Sequence, residues 1–425
     1  MIRLHVTCPS QAFLTQRPPG PPGVRFRDDP SRDGTAFADD TAGLRRLIGR
    51  LARISDVAQV DSRAAISRRA FAKLAALTAL DGCRRATEAP AKWRGFNLQE
   101  KFTAAPEEWA ALDPEWGRHN EPFVETDFEW MAQWGFNFAR LPMSYRCWAD
   151  PKDPFRMAES TLREIDQAVH WGRQYGVHVC LNFHRAPGYS INGGLLAEPW
   201  NLWTDPHALD IFCFYWGRFA ERYRGISSGQ LSFNLLNEPN RCTAAQYEKV
   251  IRAGVDAIRH ADPERLVVID GLFGEAILPV DELAGIPNSV QATRGYAPFA
   301  LSHYLAPWAG TPRQLPTWPM RVSATVEWNR AMLERWCIQP YQKIAAHGAN
   351  VFVGEWGCWN HTPHAVTLSW MRDFLSLWKA ANWGWALWCF RGSFGVLDSN
   401  RSDVTYENWH GHKLDRRMLE LLQEF

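Results

Sequence analysis

Two glutamates in this sequence each follow the end of a short apolar run. The run 231–236 ends in Asn237-Glu238-Pro239, and the run 351–353 ends in Gly354-Glu355-Trp356-Gly357. Two facing carboxylates are what glycosidic bond cleavage requires, because one protonates the leaving oxygen while the other attacks the anomeric carbon. A lone glutamate at a strand end is usually just solvated, so the hypothesis depends on the elements that would bring the two together.

Other apolar runs also deliver functional groups near their ends. These groups are Arg140 in the run 136–141, His184 after the run 177–183, His303-Tyr304 after the run 290–296, and Trp388 in the run 385–390. A lone histidine is more often a hydrogen-bonded structural residue than a ligand. Six strand ends that all offer such groups are hard to attribute to chance, and they indicate one shared site.

The order of the elements predicts how these groups would meet. Eight apolar, β-rich runs occur in order at 93–98, 136–141, 177–183, 231–236, 266–269, 290–296, 351–353 and 385–390. Stretches with helical spacing lie between most of them, at 161–175, 206–223, 244–260, 326–347 and 364–381. This alternation predicts an α/β fold, a closed (β/α)8 TIM barrel, in which catalytic residues stand at the C-terminal ends of the strands. The rival is a doubly wound sheet, but Arg94-Gly95-Phe96-Asn97 is not the glycine-rich loop it would want after its first strand.

The segment 91–425 resembles glycoside hydrolase family 5, the cellulase family of retaining (β/α)8 enzymes. Leu235-Leu236-Asn237-Glu238-Pro239 is similar to the family's acid/base motif on strand four, and Gly354-Glu355-Trp356-Gly357 to its nucleophile motif on strand seven. The remaining matches are the strand-two arginine in Asn137-Phe138-Ala139-Arg140-Leu141-Pro142 and the strand-three histidine in Asn182-Phe183-His184. His303-Tyr304, after the sixth strand, and Trp388, on the eighth, match the family's last two positions.

The resemblance implies a role for each matched residue. Glu238 would be the general acid and then the base, and Glu355 the nucleophile, with carboxylate oxygens about 5–5.5 Å apart and retention of anomeric configuration. Arg140 and Tyr304 would hydrogen-bond Glu355 and keep it ionised. The other implied roles are a contact to the sugar 2-hydroxyl for Asn237, orientation of Glu238 for His303, sugar hydroxyl binding for His184 and a stacking floor for Trp388. No metal or organic cofactor is implied.

Tryptophan is the most distinctive feature of the composition. All 22 tryptophans lie from Trp93 onward. They can fill a core, or they can offer flat apolar faces on which sugar rings stack. Trp200, Trp203, Trp308 and Trp359 lie in loops that follow strands, and for each of them sugar contact and loop packing are both open.

The first ninety residues differ from the rest of the chain. Residues 1–66 are rich in Pro, Arg, Asp and Gly, and we expect a disordered extension or a start codon assigned too far upstream. Residues 67–90 begin with Ser67-Arg68-Arg69-Ala70-Phe71-Ala72-Lys73 and continue into a weakly apolar stretch. This pattern is typical of a twin-arginine export signal, with a basic amphipathic helix as the alternative, and it predicts a periplasmic or extracellular protein.

Composition and charge argue against two other classes of function, nucleic-acid binding and membrane insertion. The formal net charge of +1 gives no electrostatic footprint for nucleic acid, and no apolar stretch is long enough to predict a membrane span. The expected partner is a carbohydrate, and we expect a β-1,4-linked glucan. A β-mannanase, an exo-β-glucosidase, a transglycosylase and a non-catalytic carbohydrate-binding barrel remain alternatives, and the oligomeric state is open.

Overall fold

Eight parallel strands form the centre of the protein. The computed structural model describes residues 92–105, 121–191, 197–273, 277–310 and 314–425. The eight strands are β1 Arg94–Asn97, β2 Phe138–Ser144, β3 His178–Ala186, β4 Leu231–Asn234, β5 Val267–Asp270, β6 Ser289–Gly295, β7 Asn350–Trp356 and β8 Gly384–Leu387. Each lies within a few residues of a run predicted from the sequence.

The strand pairing closes this sheet into a barrel. β1 pairs in parallel with both β2 and β8, and parallel pairing continues from β2 through β3, β4, β5, β6 and β7 to β8. Because no edge is left open between these eight strands, the doubly wound alternative is excluded. The prediction of a (β/α)8 barrel is confirmed, and the unit that contains it spans Ala89–Phe425.

Helices connect most of the strands. Those of the described residues are Glu125–Gln133, Glu159–Tyr175, Pro206–Arg222, Ala244–Ala261, Asp281–Ala284, Phe299–Ser302, Arg330–Leu333, Gln339–Ala345, His364–Ala381 and Arg416–Glu424, with a π-helical turn at Glu334–Ile338 and a 3-10 turn at Tyr145–Cys147. Local sequence sets several of their ends: Asp205 and Thr243 accept hydrogen bonds from the first turn, and Gly176 adopts the left-handed conformation after the last turn.

Short antiparallel strands lie in the loops between these elements. Their bounds are Ala149–Asp150 with Asp153–Met157, Met320–Arg321 with Glu327–Trp328, and Glu407–Trp409 with His412–Leu414, while Tyr189–Ser190 folds back on the end of β3. No helix of the described ranges is long and apolar enough to cross a membrane. The predicted export signal at 67–90 and the extension 1–66 lie outside the described residues.

The barrel interior has an apolar layer and a polar layer. Alternate residues of a strand point to the same side, so Trp93, Phe138, Cys180 and Phe352 form a buried cluster together with Val268, Val290, Ala292 and Ala386. One step towards the carboxyl ends, the corresponding positions hold polar groups, namely Asn97, Arg140, Asn182, Asn234, Asp270 and Arg294, all buried. This strand periodicity creates a polar floor directly below the loops that follow the strands.

A buried histidine in the apolar half makes the fold sensitive to acid. His178 stacks on Phe138, its Nδ1 donates to the Gly229 carbonyl, and its Nε2 accepts from Ser232 Oγ. Burial lowers the pKa of His178 from 6.5 to about 4. Between pH 6.5 and pH 4, His178 is therefore protonated in the unfolded chain and neutral in the folded chain. Its contribution to the free energy of unfolding is fully present above pH 6.5 and is lost as the pH falls towards 4.

We expect His178 to contribute about 3 kcal/mol to the loss of unfolding free energy between pH 7 and pH 4. Urea unfolding at the two pH values measures this loss. The variant His178→Gln has no group that titrates in this range, so its loss should be smaller by that amount. An identical loss in the wild type and the variant would show that His178 is not the group responsible.

Candidate active site

Glu238 stands in a constrained turn just beyond β4. Its φ of 45° lies in the left-handed region, which costs a residue with a Cβ roughly 1–2 kcal/mol. The backbone N–H of Glu238 donates to Asp270 Oδ2 over 3.0 Å, and the hydroxyl of Tyr189 donates to its carbonyl oxygen over 2.5 Å. These bonds hold the turn, and they leave the side chain 15% exposed at the open end of the barrel.

Glu355 reaches the barrel interior because strand β7 contains an irregularity. The register between β6 and β7 shifts between Val353 and Glu355, so two residues of β7 occupy the space of one. Such a bulge re-aims the side chains that follow it. Val353 and Trp356 pack in the outer core, whereas the Glu355 carboxylate enters the polar layer and is 3% exposed.

Arg140 holds Glu355 and Asn237 in one hydrogen-bond network. Its Nη1 donates to Glu355 Oε1 over 2.6 Å, and its Nη2 donates to Asn237 Oδ1 over 2.7 Å. Its Nη1 also donates to the amide oxygen of Asn97, and its Nε donates to that of Asn234, so all three guanidinium nitrogens are bonded. A fully bonded, buried guanidinium holds the neighbouring carboxylate in a fixed orientation. This is the contact between Arg140 and Glu355 that the family resemblance implied.

Arg294, at the end of β6, contacts both glutamates. Its Nε lies 3.2 Å from Glu238 Oε1, and its Nη2 lies 3.4 Å from Glu355 Oε1. The same Nη2 donates to Asn237 Oδ1 over 2.9 Å and to Asp270 Oδ2. Burial lowers the pKa of Arg294, but the carboxylates of Asp270, Glu355 and Glu238 raise it more, so the net shift is upwards. Arg294 is therefore a fixed cation between the two candidate catalytic groups.

A short helix separates His303 and Tyr304 from the sixth strand. β6 ends at Gly295, and the hydroxyl of the next residue, Tyr296, donates to Glu355 Oε2 over 3.3 Å. His303 and Tyr304 follow the helix Phe299–Ser302, so they do not mark the end of the strand. Arg294 is the residue of β6 that lies next to Glu238.

His303 packs behind the site and supports Tyr296. Its ring stacks on Phe299 at 3.9 Å and meets the ring of Tyr296 edge-on at 5.1 Å. Burial lowers the pKa of His303 to about 3, so it is neutral at physiological pH. Tyr304 is also buried, at 9% exposure.

His184 and Trp388 form the opposite wall of the site. Their rings stack with centroids 5.4 Å apart and an angle of 16°. The pKa of His184 is well below 6.5, first because of burial and then because of Arg140, Arg185 and Arg294. The neutral ring has a buried Nδ1 with no hydrogen-bond partner among the described residues, as has Asn237 Nδ2. Trp388 is half-buried and precedes a cis peptide bond to Cys389.

The four loop tryptophans divide into two pairs. Trp308 and Trp359 meet edge-on at 4.7 Å in a cluster that also contains Tyr296 and Trp388, next to Glu355. Trp203 is buried in the core and meets the ring of Tyr189 at 4.9 Å. The half-buried Trp200 packs at the start of the helix Pro206–Arg222, beside His207. The first pair packs in the cluster of Tyr296, whereas Trp203 supports the turn of Glu238 through Tyr189.

Sequence reasoning missed several residues of the polar layer. Asn97, Asn234, Asp270, Arg294 and Tyr296 all contact Arg140 or a glutamate. Four of them are the last or next-to-last residues of β1, β4, β5 and β6, and Tyr296 follows β6 directly. The signal that could have found them is a polar residue at an inward-facing strand end, which is where a (β/α)8 barrel places its chemistry.

The arrangement is one that can carry acid–base and nucleophilic chemistry on a neutral substrate. A buried carboxylate bonded by Arg140 and Tyr296 faces a more exposed carboxylate, Glu238, across a shared guanidinium. The stacked aromatic wall and the unpartnered polar atoms offer contacts for a ring that carries hydroxyl groups.

Comparisons with known proteins agree with this geometry. A family model described as Cellulase (glycosyl hydrolase family 5) matches residues 85–393. Endoglucanase C of Acetivibrio thermocellus is 25% identical over 315 residues, which cover 68% of this chain and 90% of that protein. A solved structure of a glycoside hydrolase is 38% identical, with a TM-score of 0.71 over 78% of this chain and 99% of the other.

A more distant structure shares the fold. The endoglucanase Cel5A of Thermotoga maritima has a TM-score of 0.62 at 21% identity, over 78% of this chain and 96% of that one. The family model spans most of the chain, including both glutamates and the strands that carry them. The chain therefore belongs to glycosyl hydrolase family 5, the cellulase family, and is a glycoside hydrolase.

Proposed function

We propose that this enzyme hydrolyses a β-1,4-linked glucan by double displacement, with Glu355 as the nucleophile and Glu238 as the acid/base. The observation that carries the proposal is the convergence of the two carboxylates on Arg294, at 3.2 Å and 3.4 Å. A retaining glycosidase requires two carboxylates that flank the bond to be cleaved. A non-catalytic binding barrel would not need a glutamate buried against Arg140 and Tyr296.

In the first step, Glu355 forms a bond to the anomeric carbon. Arg140 and Tyr296 stabilise the ionised form of Glu355, so it is ready to attack without losing a proton. As the new bond forms, the bond from the anomeric carbon to the leaving oxygen breaks. Glu238 donates its proton to that oxygen, and the products are a glycosyl ester on Glu355, an ionised Glu238 and a shortened chain with a free hydroxyl.

In the second step, water replaces the enzyme on the anomeric carbon. The ionised Glu238 takes a proton from water as the water oxygen attacks that carbon, and the ester bond to Glu355 breaks. Glu355 leaves as a carboxylate that Arg140 and Tyr296 again stabilise, and Glu238 is again protonated. Two inversions at one carbon retain its configuration.

The unpartnered polar atoms explain how the sugar would be held. Asn237 Nδ2 is buried beside both glutamates while its Oδ1 is fixed by Arg140 and Arg294, so the amide can donate only in one direction. We assign to it the 2-hydroxyl of the sugar at the cleavage point. His184 Nδ1 is free for a neighbouring hydroxyl, and the half-buried ring of Trp388 offers the stacking face.

The choice of a β-1,4-glucan rests on the named relatives. The relatives include Endoglucanase C of Acetivibrio thermocellus and Cellodextrinase A of Ruminococcus flavefaciens, the latter 24% identical over 253 residues, and one solved structure of the same fold is that of an endo-β-1,4-glucanase. We further propose that the protein is exported. The support for export is the twin-arginine pattern at Ser67-Arg68-Arg69-Ala70-Phe71-Ala72-Lys73.

A panel of soluble polysaccharides tests the substrate. We expect the full-length protein to release reducing ends from carboxymethylcellulose and mixed-linkage β-glucan, and to release much less from β-mannan or xylan. Chromatography of the products separates endo action, which gives mixed short oligomers, from exo action, which gives only monosaccharide or disaccharide. Release from β-mannan alone would overturn the glucan assignment, and no release from any polymer or aryl glycoside would overturn the proposed activity.

A further inference from the structure

Arg294 and Asp270 form a buried ion pair that holds Glu238 at two points. Asp270 Oδ2 accepts from Arg294 Nη2 and, over 3.0 Å, from the backbone N–H of Glu238. Arg294 Nε lies 3.2 Å from the carboxylate of the same Glu238. A closed chain of contacts therefore runs from the backbone of Glu238 through Asp270 and Arg294 to its own side chain, and it fixes a residue whose φ is 45°.

The barrel makes specific room for this arginine. A Cβ added at Gly354, the residue before the nucleophile, would lie 2.8 Å from Arg294 Nη1. Asn234 Nδ2 donates to Asp270 Oδ1 over 2.9 Å, so the carboxylate is fixed from a second side. These contacts indicate that the position and the charge of Arg294 are built into the site.

Several ionisable groups lie around Glu238. Asp270 on β5 and Arg294 on β6 contact it, and Tyr189 and Tyr296 feel its charge. Further out, Arg140 on β2 and Glu355 on β7 meet Asn237 or Arg294, His184 and the buried Arg185 lie on β3, and Arg241 lies in the loop of Glu238. Burial, more than any single neighbour, raises the pKa of Tyr189 and Tyr296 well above 10 and lowers that of His184 well below 6.5, so these three are neutral. Arg241 is exposed to solvent.

We propose that Arg294, countered by Asp270, is a positioning residue that couples the protonation of Glu238 to the charge of Glu355. This inference rests on the function proposed above. In the free enzyme, Glu355 and Glu238 share the positive charge of Arg294. In the ester, Glu355 no longer competes for that charge, and Arg294 stabilises the base form of Glu238 that activates water.

Two substitutions at this ion pair should move the pH profile in opposite directions. The alkaline limb of kcat/KM reports the loss of the acid form of Glu238 in the free enzyme. Arg294→Gln removes the cation at 3.2 Å, so the limb should move to higher pH by about one unit. Asp270→Asn removes the counter-charge of Arg294, and its one oxygen can take the place of Oδ2, which accepts from the backbone of Glu238, so the limb should move to lower pH by a similar amount.

The pH profiles are measured with a soluble β-glucan, whose leaving oxygen needs the proton of Glu238, and an aryl cellobioside that has a good leaving group isolates the second step. Arg294→Gln should slow the hydrolysis of the ester, and azide, which needs no base, should raise its turnover more than that of the wild type. Arg294→Lys is the matched control: it keeps the charge and should keep the alkaline limb near its wild-type position even where kcat falls. If Arg294→Gln fails to fold because Asp270 is left unpaired, Asp270→Asn still tests the inference.

The possible outcomes separate this inference from the proposed function. Opposite shifts in the two variants support the coupling, because a purely structural role would lower activity without moving the limb in a sign-dependent way. An active wild type whose limb is unmoved in both variants, or moves in the same direction, overturns the coupling alone. A wild type that is inactive on every glycoside overturns the proposed function and the coupling together.

Discussion

Glu355→Gln should lower kcat by at least about 10⁴-fold on every substrate while the protein stays folded. The amide has the size of the carboxylate, and its one oxygen can still accept from Arg140, which donates to Glu355 Oε1 over 2.6 Å, while the longer bond from Tyr296 to Oε2 is lost. It cannot form the glycosyl ester, so the first step of double displacement is lost for good and poor leaving groups alike. Steady-state kinetics measures the fall in kcat, and circular dichroism shows whether the variant is folded.

Azide gives a stereochemical proof of the role of Glu355. Glu355→Ala leaves space on the face of the sugar from which the nucleophile attacks. Azide in that space should displace an activated leaving group in one step and give the inverted glycosyl azide. Glu327→Gln, a change at an exposed glutamate on a remote hairpin, is the matched control and should behave like the wild type. A retained azide from Glu355→Ala would assign Glu355 to the other role.

Local pattern was enough to predict the barrel and both glutamates. Each strand is a short apolar run followed by a turn, and a parallel barrel puts the residues after such runs at one end. Glu238 and Glu355 each lie two residues beyond an apolar run, so the pattern that identified the strands also placed these residues. Arg140 lies near the end of its own run, and its contact with Glu355 was implied by the family resemblance.

The ion pair of Arg294 and Asp270 was not predicted because nothing local marks it. The two residues are 24 positions apart, and their meeting depends on the register between β5 and β6. Arg294 also follows small and polar residues, and this local sequence does not distinguish it from a solvent-exposed residue at the end of a strand. The β7 bulge that turns Glu355 inward is likewise a property of strand pairing and has no signature in a single strand.

Residue type alone did not point to Tyr296. The pair His303-Tyr304 has the expected composition, but the chain turns through a short helix between the end of β6 and His303. Tyr296, directly after the strand, donates to Glu355. Trp203 shows the same limit, because a loop tryptophan fills the core or lines a cleft according to long-range packing.

Replacement of Glu238 should have an effect that depends on the leaving group. Glycine is the best small substitute, because Glu238 has a φ of 45° and glycine adopts that conformation without strain. Glu238→Gly cannot protonate a leaving oxygen, so hydrolysis of a β-glucan should fall by about 10²- to 10⁴-fold. A dinitrophenyl glycoside needs no such proton, so its first step should persist.

Because the same variant also lacks the base, the glycosyl ester should then accumulate. A burst of dinitrophenolate followed by slow turnover would show this in a stopped-flow trace. Azide should fill the space left by Glu238 and attack the ester from the face opposite Glu355, giving the retained glycosyl azide and faster turnover. The two glutamates thus predict azides of opposite configuration, inverted from Glu355→Ala and retained from Glu238→Gly. A reversed pair of products would exchange the two roles, and it would require Arg140 and Tyr296 to hold the acid/base in place of the nucleophile.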